Sequence, residues 1–407
     1  MSTQPRESGE HSHRAMTGIR VIDLSINIVG PIATQMMGDM GADVIKVESP
    51  EGDFMRAVGP SRSTGMGAFF LNINRNKRGI LLNLKDLRSK EALFRLIKTA
   101  DVFVHNMRPG AIKRLGLTYD EIKAVQPNIV YAWASGFGKD SDRADHPAYD
   151  DVIQGISGIP DLFRRRSGTP EYMPTMIADK LCGYALANGI TTALLHRERT
   201  GEGQEVHVPM YDTMVAFNLI DHLWNGVLAE PEKGLGYQRA LTPHRRPHKT
   251  KDGYIAVMAS TDSQWAKMFG IIGKPELAQD ARFAKSVDRV PRLAELYALV
   301  AEHLEKRTTA EWVAEFDRAQ IPSGAVNTLE DLLLDPYFVK QGFFRKETHP
   351  TEGAMLSISH PTYYSKTASV YARQAPRQGQ HTREILASMN FSEEEIDLLE
   401  RSASGAE

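Results

Sequence analysis

The chain is poor in cysteine and in long apolar runs. Cys182 is the one cysteine among 407 residues, so neither an internal disulfide nor a multi-cysteine zinc or iron-sulfur site can form. No segment offers the roughly 20 apolar residues that a membrane-spanning helix needs, and residues 1–7 lack the hydrophobic centre of a signal peptide. We therefore expect a cytoplasmic protein without a metal centre, in which Cys182 packs in the core.

An excess of charge of either sign is also missing. Forty-nine Lys and Arg residues oppose 51 Asp and Glu residues, which leaves a formal net charge of −2. Such a chain has no global attraction for nucleic acid or for anionic membranes, so neither is an expected partner and any anion binding must be local. The 42% hydrophobic and 25% charged residues are typical of a globular protein with two or three lobes.

Strand and helix patterns alternate along the first part of the chain. Strands are predicted at residues 20–24, 43–47, 80–85, 101–104 and 128–133, and helices at 31–41, 87–99 and 119–125. This alternation predicts an α/β fold with a doubly wound, mostly parallel sheet of the Rossmann type. The phosphate-binding Gly-x-Gly-x-x-Gly is missing after the first strand, where residues 27–31 read Asn-Ile-Val-Gly-Pro, so we expect no NAD.

Composition divides the chain into segments. Residues 1–15 are polar, and we expect them to be mobile. Residues 16–215 carry the alternating pattern and form the first part of a large domain. Pro, Gly and basic residues then lead into an alternating strand and several helices, which predicts a linker and a smaller α+β domain at 216–327, followed by a C-terminal part at 328–407.

One carboxylate stands at the predicted start of a helix that is rich in small residues. Asp179 lies in the first turn, and Gly183, Ala187 and Gly189 would allow the helix to approach a neighbouring backbone closely. The helix dipole and the unpaired N–H groups favour the charged form, so we expect Asp179 to stay ionised and to be able to act as a nucleophile. The alternative is that Asp179 only caps the helix.

Three basic clusters could hold an anion, at residues 74–78, 106–110 and 244–248. The second cluster follows a predicted strand directly. Because ligands of doubly wound sheets bind outside the carboxyl ends of the strands, Asn106, Arg108 and Arg114 are candidates for gripping a phosphorylated ligand. A solvated loop is the alternative for each cluster, and for the third cluster it is the preferred interpretation.

The order of several motifs resembles that of the family III CoA-transferases. The resemblance rests on residues 18–24, 30–31, 41–48, 76–78, 106–110, 135–138, 148–150, 178–179 with Gly183, 252–254 and 321–322, and it covers nearly the whole chain. It implies that Asp179 is the catalytic aspartate. It also implies CoA contacts by five residues of the large domain, namely Lys85, Asn106, Met107, Arg108 and Arg114.

The same resemblance implies an assembly and a reaction. It implies a homodimer of two interlocked ring-shaped subunits, whose large CoA-binding domain is built from both ends of the chain. The implied substrates are an acyl-CoA and a small carboxylic acid. CoA would move from one acid to the other through an aspartyl-acyl anhydride and an aspartyl-CoA thioester on Asp179, without metal or NAD.

Two other functions stay open. The 2-methylacyl-CoA racemases resemble this chain in fold and use a His and Asp pair, but their histidine would fall at Tyr149, whose phenol is a weak acid with a pKa of about 10. His146 lies three residues earlier and could replace it. An inactive CoA-binding protein is the third possibility. Tyr149 and Asp150 either position the reacting acid or form an ordinary turn.

Overall fold

The computed structural model describes residues 14–404, so the predicted mobile N terminus, residues 1–15, lies outside the described residues except for its last two positions. The chain forms two compact units. The first unit comprises residues 1–157, 173–217 and 342–407, and the second comprises residues 158–172 and 218–341. The domain boundaries placed after residues 215 and 327 from composition stay a prediction.

A six-stranded parallel sheet organises the first unit. Its strands are β1 (Arg20–Asp23), β2 (Asp43–Glu48), β3 (Lys77–Leu81), β4 (Val102–His105), β5 (Val130–Ser135) and β6 (Glu205–Pro209), in the order β3-β2-β1-β4-β5-β6. The predicted α/β fold with a parallel sheet is confirmed. Because the strand order reverses between β1 and β4, a crevice for ligands is expected at the carboxyl ends of these two strands.

Helices and one hairpin complete the first unit. The helices are α1 (Val29–Asp39), α2 (Ala68–Ile73), α3 (Leu87–Ile97), α4 (Pro109–Leu115), α5 (Tyr119–Val125), α6 (Asp150–Ile156), α8 (Ile177–Thr200), the first half of α9 (Met210–His222), α17 (Thr382–Ser388) and α18 (Glu393–Ser404). The hairpin pairs β10 (Phe344–His349) with β11 (Gly353–Ile358). Within residues 14–404, no helix is both long enough and apolar enough to cross a bilayer.

The core of the first unit lies between this sheet and its helices. The side chains of Ile22, Phe103 and Tyr131 from adjacent strands are buried there with Leu93 and Leu96 of α3. Their burial explains why short apolar runs were sufficient to predict five of the six strands. Cys182 is fully buried, which confirms its predicted place in the core.

Strand β3 begins at Lys77, three residues before the start that its apolar run predicted. The ammonium group of Lys77 is fully buried and lies 3.0 Å from the carboxylate of Asp23 at the end of β1. Burial alone would raise the pKa of Asp23, but the ammonium groups of Lys77 and Lys46 outweigh it and lower that pKa to about 2. Lys77 therefore has a structural role, in which its charge compensates that of the buried Asp23 carboxylate within the sheet.

The two arginines of the first basic cluster also form ion pairs with carboxylates. The Arg75 guanidinium donates to both carboxylate oxygens of Asp39, at 2.9 and 2.6 Å. Arg78 donates to Asp43 at 2.8 Å. Because their charges are compensated inside the fold, residues 74–78 do not offer a free anion site.

The second unit has its own sheet and core. Its antiparallel strands are β7 (His248–Lys249), β8 (Tyr254–Val257) and β9 (Ser323–Ala325). Its helices are α7 (Ile159–Ser167), the second half of α9, α10 (Gln238–Leu241), α11 (Asp262–Ile271), α12 (Ser286–Arg289), α13 (Leu293–Leu304), α14 (Thr309–Ala319), α15 (Leu329–Leu334) and α16 (Pro336–Gln341). Trp265, Phe269, Leu296 and Phe316 are buried in its core.

Candidate active site

A cavity of about 270 Å³ opens in the first unit at the carboxyl ends of β1, β4 and β5. It is lined by the segment from β1 into α1, the segment from β4 into α4, the end of β5, the segment before α6, the first turn of α8 and the first residue of α9. Of the predicted site residues, this cavity brings together Asn106, Met107, Arg108 and Asp179. Its place agrees with the crevice that the strand order predicts.

Two glycines allow the walls of the cavity to meet. A Cβ atom on Gly183 of α8 would lie 2.9 Å from the carbonyl oxygen of Val29, so only glycine permits this contact between α8 and α1. A Cβ atom on Gly136 would lie 2.4 Å from the Cβ of Ala148, which brings the end of β5 against the segment before α6. The close approach predicted for the small residues of α8 is confirmed at Gly183.

Asp179 is the third residue of α8, so its side chain emerges from the first helical turn. Its own backbone N–H donates a hydrogen bond of 2.9 Å to Oδ1 of Asp150. The cap of this helix is therefore another carboxylate, and the half-buried side chain of Asp179 faces the cavity without serving as the cap.

Burial of the carboxyl group, followed by repulsion from Asp150 and Asp151, raises the pKa of Asp179 from 3.8 to about 7. The expectation that the helix dipole keeps Asp179 ionised is therefore wrong near neutral pH, where roughly half of the molecules carry the proton. The dipole is present, but the nearby negative charges and the low polarity of the site outweigh it.

Asp150 is fixed at both of its oxygens. While Oδ1 accepts from the Asp179 backbone, Oδ2 accepts a hydrogen bond of 2.6 Å from Nε2 of Gln154, one turn later in α6. The side-chain Oε1 of Gln154 in turn accepts from the backbone N–H of Met173, at 2.9 Å. Asp150 is buried, and this chain of contacts joins α6 to the segment that enters α8. Asp150 thus sets the place of the first turn of α8.

A buried histidine holds the loop between β4 and α4. Nδ1 of His105 accepts from the backbone N–H of Met107 at 3.1 Å, and Nε2 lies 2.7 Å from the hydroxyl of Tyr131. That hydroxyl donates its single proton to the carbonyl of Leu117, so Nε2 of His105 must carry the imidazole proton. Burial lowers the pKa of His105 to about 3, which keeps the ring neutral.

The side-chain amide of Asn106 is hydrogen-bonded to the neighbouring loop. Its Oδ1 accepts from the backbone N–H of Ile26 at 3.0 Å, and its Nδ2 donates to the Ile26 carbonyl at 2.7 Å. These two bonds join the loops that follow β4 and β1. Asn106 and His105 together give the cavity a fixed floor, and sequence reasoning missed His105 because it reads as the last residue of an apolar strand.

The three basic residues predicted for CoA lie at different places. Arg108 lines the cavity, is exposed, and donates to the carbonyl of Asp145 at 3.2 Å. Arg114 lies farther along α4 and is exposed, and it does not line the cavity. Lys85 follows β3 and lies 3.6 Å from Glu51, with both side chains largely in solvent. Such an exposed pair contributes little and leaves Lys85 available.

Two further side chains in the cavity bear on its chemistry. His146 and Tyr149 both line it, and Tyr149 is 71% exposed. The ring of His146 lies 6.3 Å from that of Phe137, in an edge-on arrangement. The possible substitute for a racemase histidine therefore shares a cavity with Asp179. Among residues 14–404, no group of three or more His, Cys, Asp and Glu side chains is arranged to hold a metal ion.

Residues 16–382 match the family model described as CoA-transferase family III. The chain belongs to this family, which confirms the resemblance seen in the motifs. The comparison therefore joins a parallel α/β fold and a carboxylate-containing cavity to a family of CoA-transferases.

Characterised relatives cover nearly the same length. The succinyl-CoA:glutarate CoA-transferase of Mus musculus is 32% identical over 391 residues, covering 95% of this chain and 89% of that protein. The formyl-CoA:oxalate CoA-transferase of Streptomyces avermitilis is 32% identical over 405 residues, covering 95% and 98%.

Solved structures agree with this fold. A CaiB/BaiF family protein from Brucella suis superposes with a TM-score of 0.79 at 31% identity, covering 93% of this chain and 100% of that one. The Mycobacterium tuberculosis protein Rv3272, in its orthorhombic form, also gives a TM-score of 0.79, at 29% identity, covering 92% and 99%.

Proposed function

We propose that this protein moves CoA from an acyl-CoA donor to a carboxylic acid acceptor, with Asp179 as the covalent nucleophile. The observation that carries the proposal is the position of Asp179, whose side chain faces a cavity from the first turn of α8 while Asp150 supplies the cap. Membership of CoA-transferase family III supports the same reaction.

In the first half of the reaction, the ionised Asp179 carboxylate attacks the thioester carbonyl of the donor. The carbon–sulfur bond breaks, a mixed anhydride forms, and CoA leaves as a thiolate. The thiolate then attacks the aspartyl carbonyl of the anhydride and expels the donor acid as its carboxylate. The product on the protein is an aspartyl-CoA thioester.

The second half reverses this sequence with the acceptor. The acceptor carboxylate attacks the aspartyl-CoA thioester, gives a second anhydride and releases the thiolate. Attack of the thiolate on the acceptor carbonyl forms the new acyl-CoA and restores the Asp179 carboxylate. No proton, electron or phosphate is consumed overall.

The surroundings of Asp179 fit a nucleophile of this kind. A carboxylate with a pKa of about 7 is more basic than an ordinary aspartate and is still ionised in half of the molecules at neutral pH. Only this ionised form attacks, so the rate should rise with pH through about 7. Asp150 holds the first turn of α8 in place, and its charge contributes to the raised pKa.

The residues around the cavity fit CoA by charge and by size. A cavity of about 270 Å³ takes a small acyl group and the thiol end of CoA, while the phosphates of CoA must lie outside it. We propose that Arg108, Arg114 and Lys85 grip those phosphates, and that Asn106 and Met107 form the wall along which the thiol arm lies. All three cations are exposed.

Product analysis by mass spectrometry tests the reaction. The protein is incubated with succinyl-CoA or acetyl-CoA and a panel of dicarboxylic acids that begins with glutarate, the acid in the name of the mouse relative. New acyl-CoA species are expected with the wild type and none with Asp179→Ala. Hydroxylamine added with the acyl-CoA should leave a hydroxamate on Asp179. CoA binding without transfer across the panel would favour an inactive CoA-binding protein.

The racemase is a second candidate because His146 and Asp179 line the same cavity. A racemase removes and returns the proton beside the thioester, so it would exchange that proton with solvent in the absence of an acceptor acid. We expect a 2-methylacyl-CoA to incorporate no deuterium in heavy water. Deuterium incorporation that is lost in His146→Ala, without an adduct on Asp179, would decide for the racemase.

We also propose the interlocked homodimer in the cytoplasm that the sequence led us to expect. Large apolar side chains lie exposed on both units, which is typical of surfaces that another chain covers. They include Phe54, Tyr363, Ile220, Leu329, Leu334 and Tyr337. Light scattering should give twice the chain mass, and separately purified dimers with different tags should not exchange subunits over hours. A monomer or rapid exchange would contradict interlocking.

A further inference from the structure

A second cavity, of about 520 Å³, lies wholly within the second unit. It opens beside the sheet of β7, β8 and β9. Arg245 and Arg246, in the turn before β7, form one side, and Ser323 and Gly324 of β9 form another. This volume is in the range of small-molecule sites. None of its lining residues belongs to the cavity that contains Asp179.

The cavity carries positive charge without compensation. Its lining contains two guanidinium groups and no carboxylate. Neither Arg245 nor Arg246 forms an ion pair with any residue in the described part of the chain, whereas Arg289 and Arg307 of the same unit do. Arg245 is also half-buried, so its charge is not simply displayed to solvent. Guanidinium groups in such a place suit an oxyanion, which they can grip bidentately.

A buried polar atom in the lining of this cavity has no partner among residues 14–404. Oγ of Ser323 is buried and makes no hydrogen bond, although Ser323 lines the cavity. Tyr297, another lining residue, accepts a hydrogen bond of 3.3 Å from Nε of Arg239. Buried polar atoms in folded proteins are nearly always paired, so the unpaired hydroxyl of Ser323 points to a ligand.

The remaining wall is apolar. Val257 is the last residue of β8 and Met258 follows it, while Pro322 directly precedes β9. His248 is buried beside them, and burial, followed by the charges of Arg246 and His244, lowers the pKa of its ring. A neutral imidazole offers a donor and an acceptor without adding charge. The cavity therefore combines a cationic end with an apolar end.

We propose that this cavity is a second ligand site, which binds a small organic oxyanion, a carboxylate or a phosphate, at Arg245, Arg246 and Ser323 and packs its carbon portion against Met258. The proposal goes beyond CoA transfer and does not rest on it. The third basic cluster of the sequence then serves a ligand, where its local pattern favoured a solvated loop.

Isothermal calorimetry with two probes tests this site and separates the two oxyanions. Inorganic phosphate and glutarate are titrated separately into the full-length Arg108→Ala protein, because Arg108 is the cation that lines the other cavity and is proposed to hold anions there. One of the probes should bind. Adding Arg245→Ala and Arg246→Ala to this background should weaken its binding at least about tenfold, since each charge-assisted pair is lost. Adding Arg318→Ala, an exposed arginine of the same unit outside the cavity, should leave it unchanged.

Three further results decide the outcome. Arg245→Lys keeps the charge but loses the planar fork, so an intermediate affinity is expected, and this variant also serves if the double substitution disturbs the fold. Ser323→Ala should weaken the same probe by a few fold. The proposal is overturned if neither probe binds below about 10 mM, or if the probe binds equally well when Arg245 and Arg246 are both replaced.

Discussion

Replacing Asp179 with asparagine should stabilise the protein at alkaline pH while it abolishes CoA transfer. In the unfolded chain this carboxyl loses its proton near pH 3.8, and in the folded protein near pH 7. Between these two values the folded state holds the extra proton, so stability falls as the pH rises through this window. Above pH 7 the full cost of the buried charge is present, and below pH 3.8 none of it remains. Asparagine removes that cost.

The size of the gain follows from the two pKa values. A rise from 3.8 to about 7 corresponds to about 4 kcal/mol, at about 1.4 kcal/mol for each tenfold change in proton affinity. The side chain is only half-buried, and solvent screens part of this cost. We therefore expect Asp179→Asn to raise the free energy of unfolding by about 1–2 kcal/mol at pH 8.5, and by roughly half as much at pH 5.

Urea unfolding of both proteins at these two pH values, at equal chain concentration, measures the effect. Asp212→Asn is a matched control, because Asp212 is an exposed carboxylate in the first turn of another helix. Its removal should change the free energy of unfolding by less than about 0.5 kcal/mol at either pH. An Asp179→Asn protein no more stable than the wild type at pH 8.5, or equally stabilised at both pH values, would refute the reasoning.

Three other experiments test the roles assigned to individual side chains. Asp150→Asn removes a repulsive charge, so the pKa of Asp179 should fall and the rising limb of the rate profile should move down by roughly one pH unit; an unmoved limb contradicts this. In calorimetry, Arg108→Ala should raise the dissociation constant of CoA about tenfold and more than Arg114→Ala does. Equal effects of the two substitutions would argue against the cavity-lining Arg108 as the main contact of CoA. Lys77→Met leaves a buried carboxylate unpaired, so urea unfolding should show a loss of about 3–5 kcal/mol, and a loss below about 1 kcal/mol would contradict the buried pair.

Local signals predicted much of the fold. The runs that became β1, β2, β4 and β5 are apolar because both faces of a parallel sheet are covered, and this property is visible in a few consecutive residues. The start of α8 was visible for a similar reason, since a carboxylate followed by small residues marks a first turn. Asp179, Asn106, Met107 and Arg108, which were singled out separately in the sequence, line one cavity, and their roles stay predictions.

Long-range contacts account for what the sequence could not show. The raised pKa of Asp179 comes from burial and from repulsion by Asp150, which lies 29 positions away in another helix. The early start of β3 depends on Lys77 meeting Asp23, which is 54 positions away. β6 was missed because Glu205 and His207 interrupt its apolar pattern, and their partners come from other segments. Sequence patterns reflect residues that are close along the chain, whereas these effects come from residues that are close only in the folded structure.

The contact between Gly183 and Val29 has a consequence for changing acyl preference in the laboratory. Because the two helices touch backbone to backbone, enlarging the cavity from that side would shift the helix that carries the nucleophile. Variants with new substrates should therefore be sought at lining residues outside this contact, such as Tyr149, which is exposed and can be replaced by a smaller side chain without moving a main chain. Substitution libraries at Tyr149 and His146 should yield variants with altered acyl preference. A library at Gly183 should yield mostly misfolded or inactive protein.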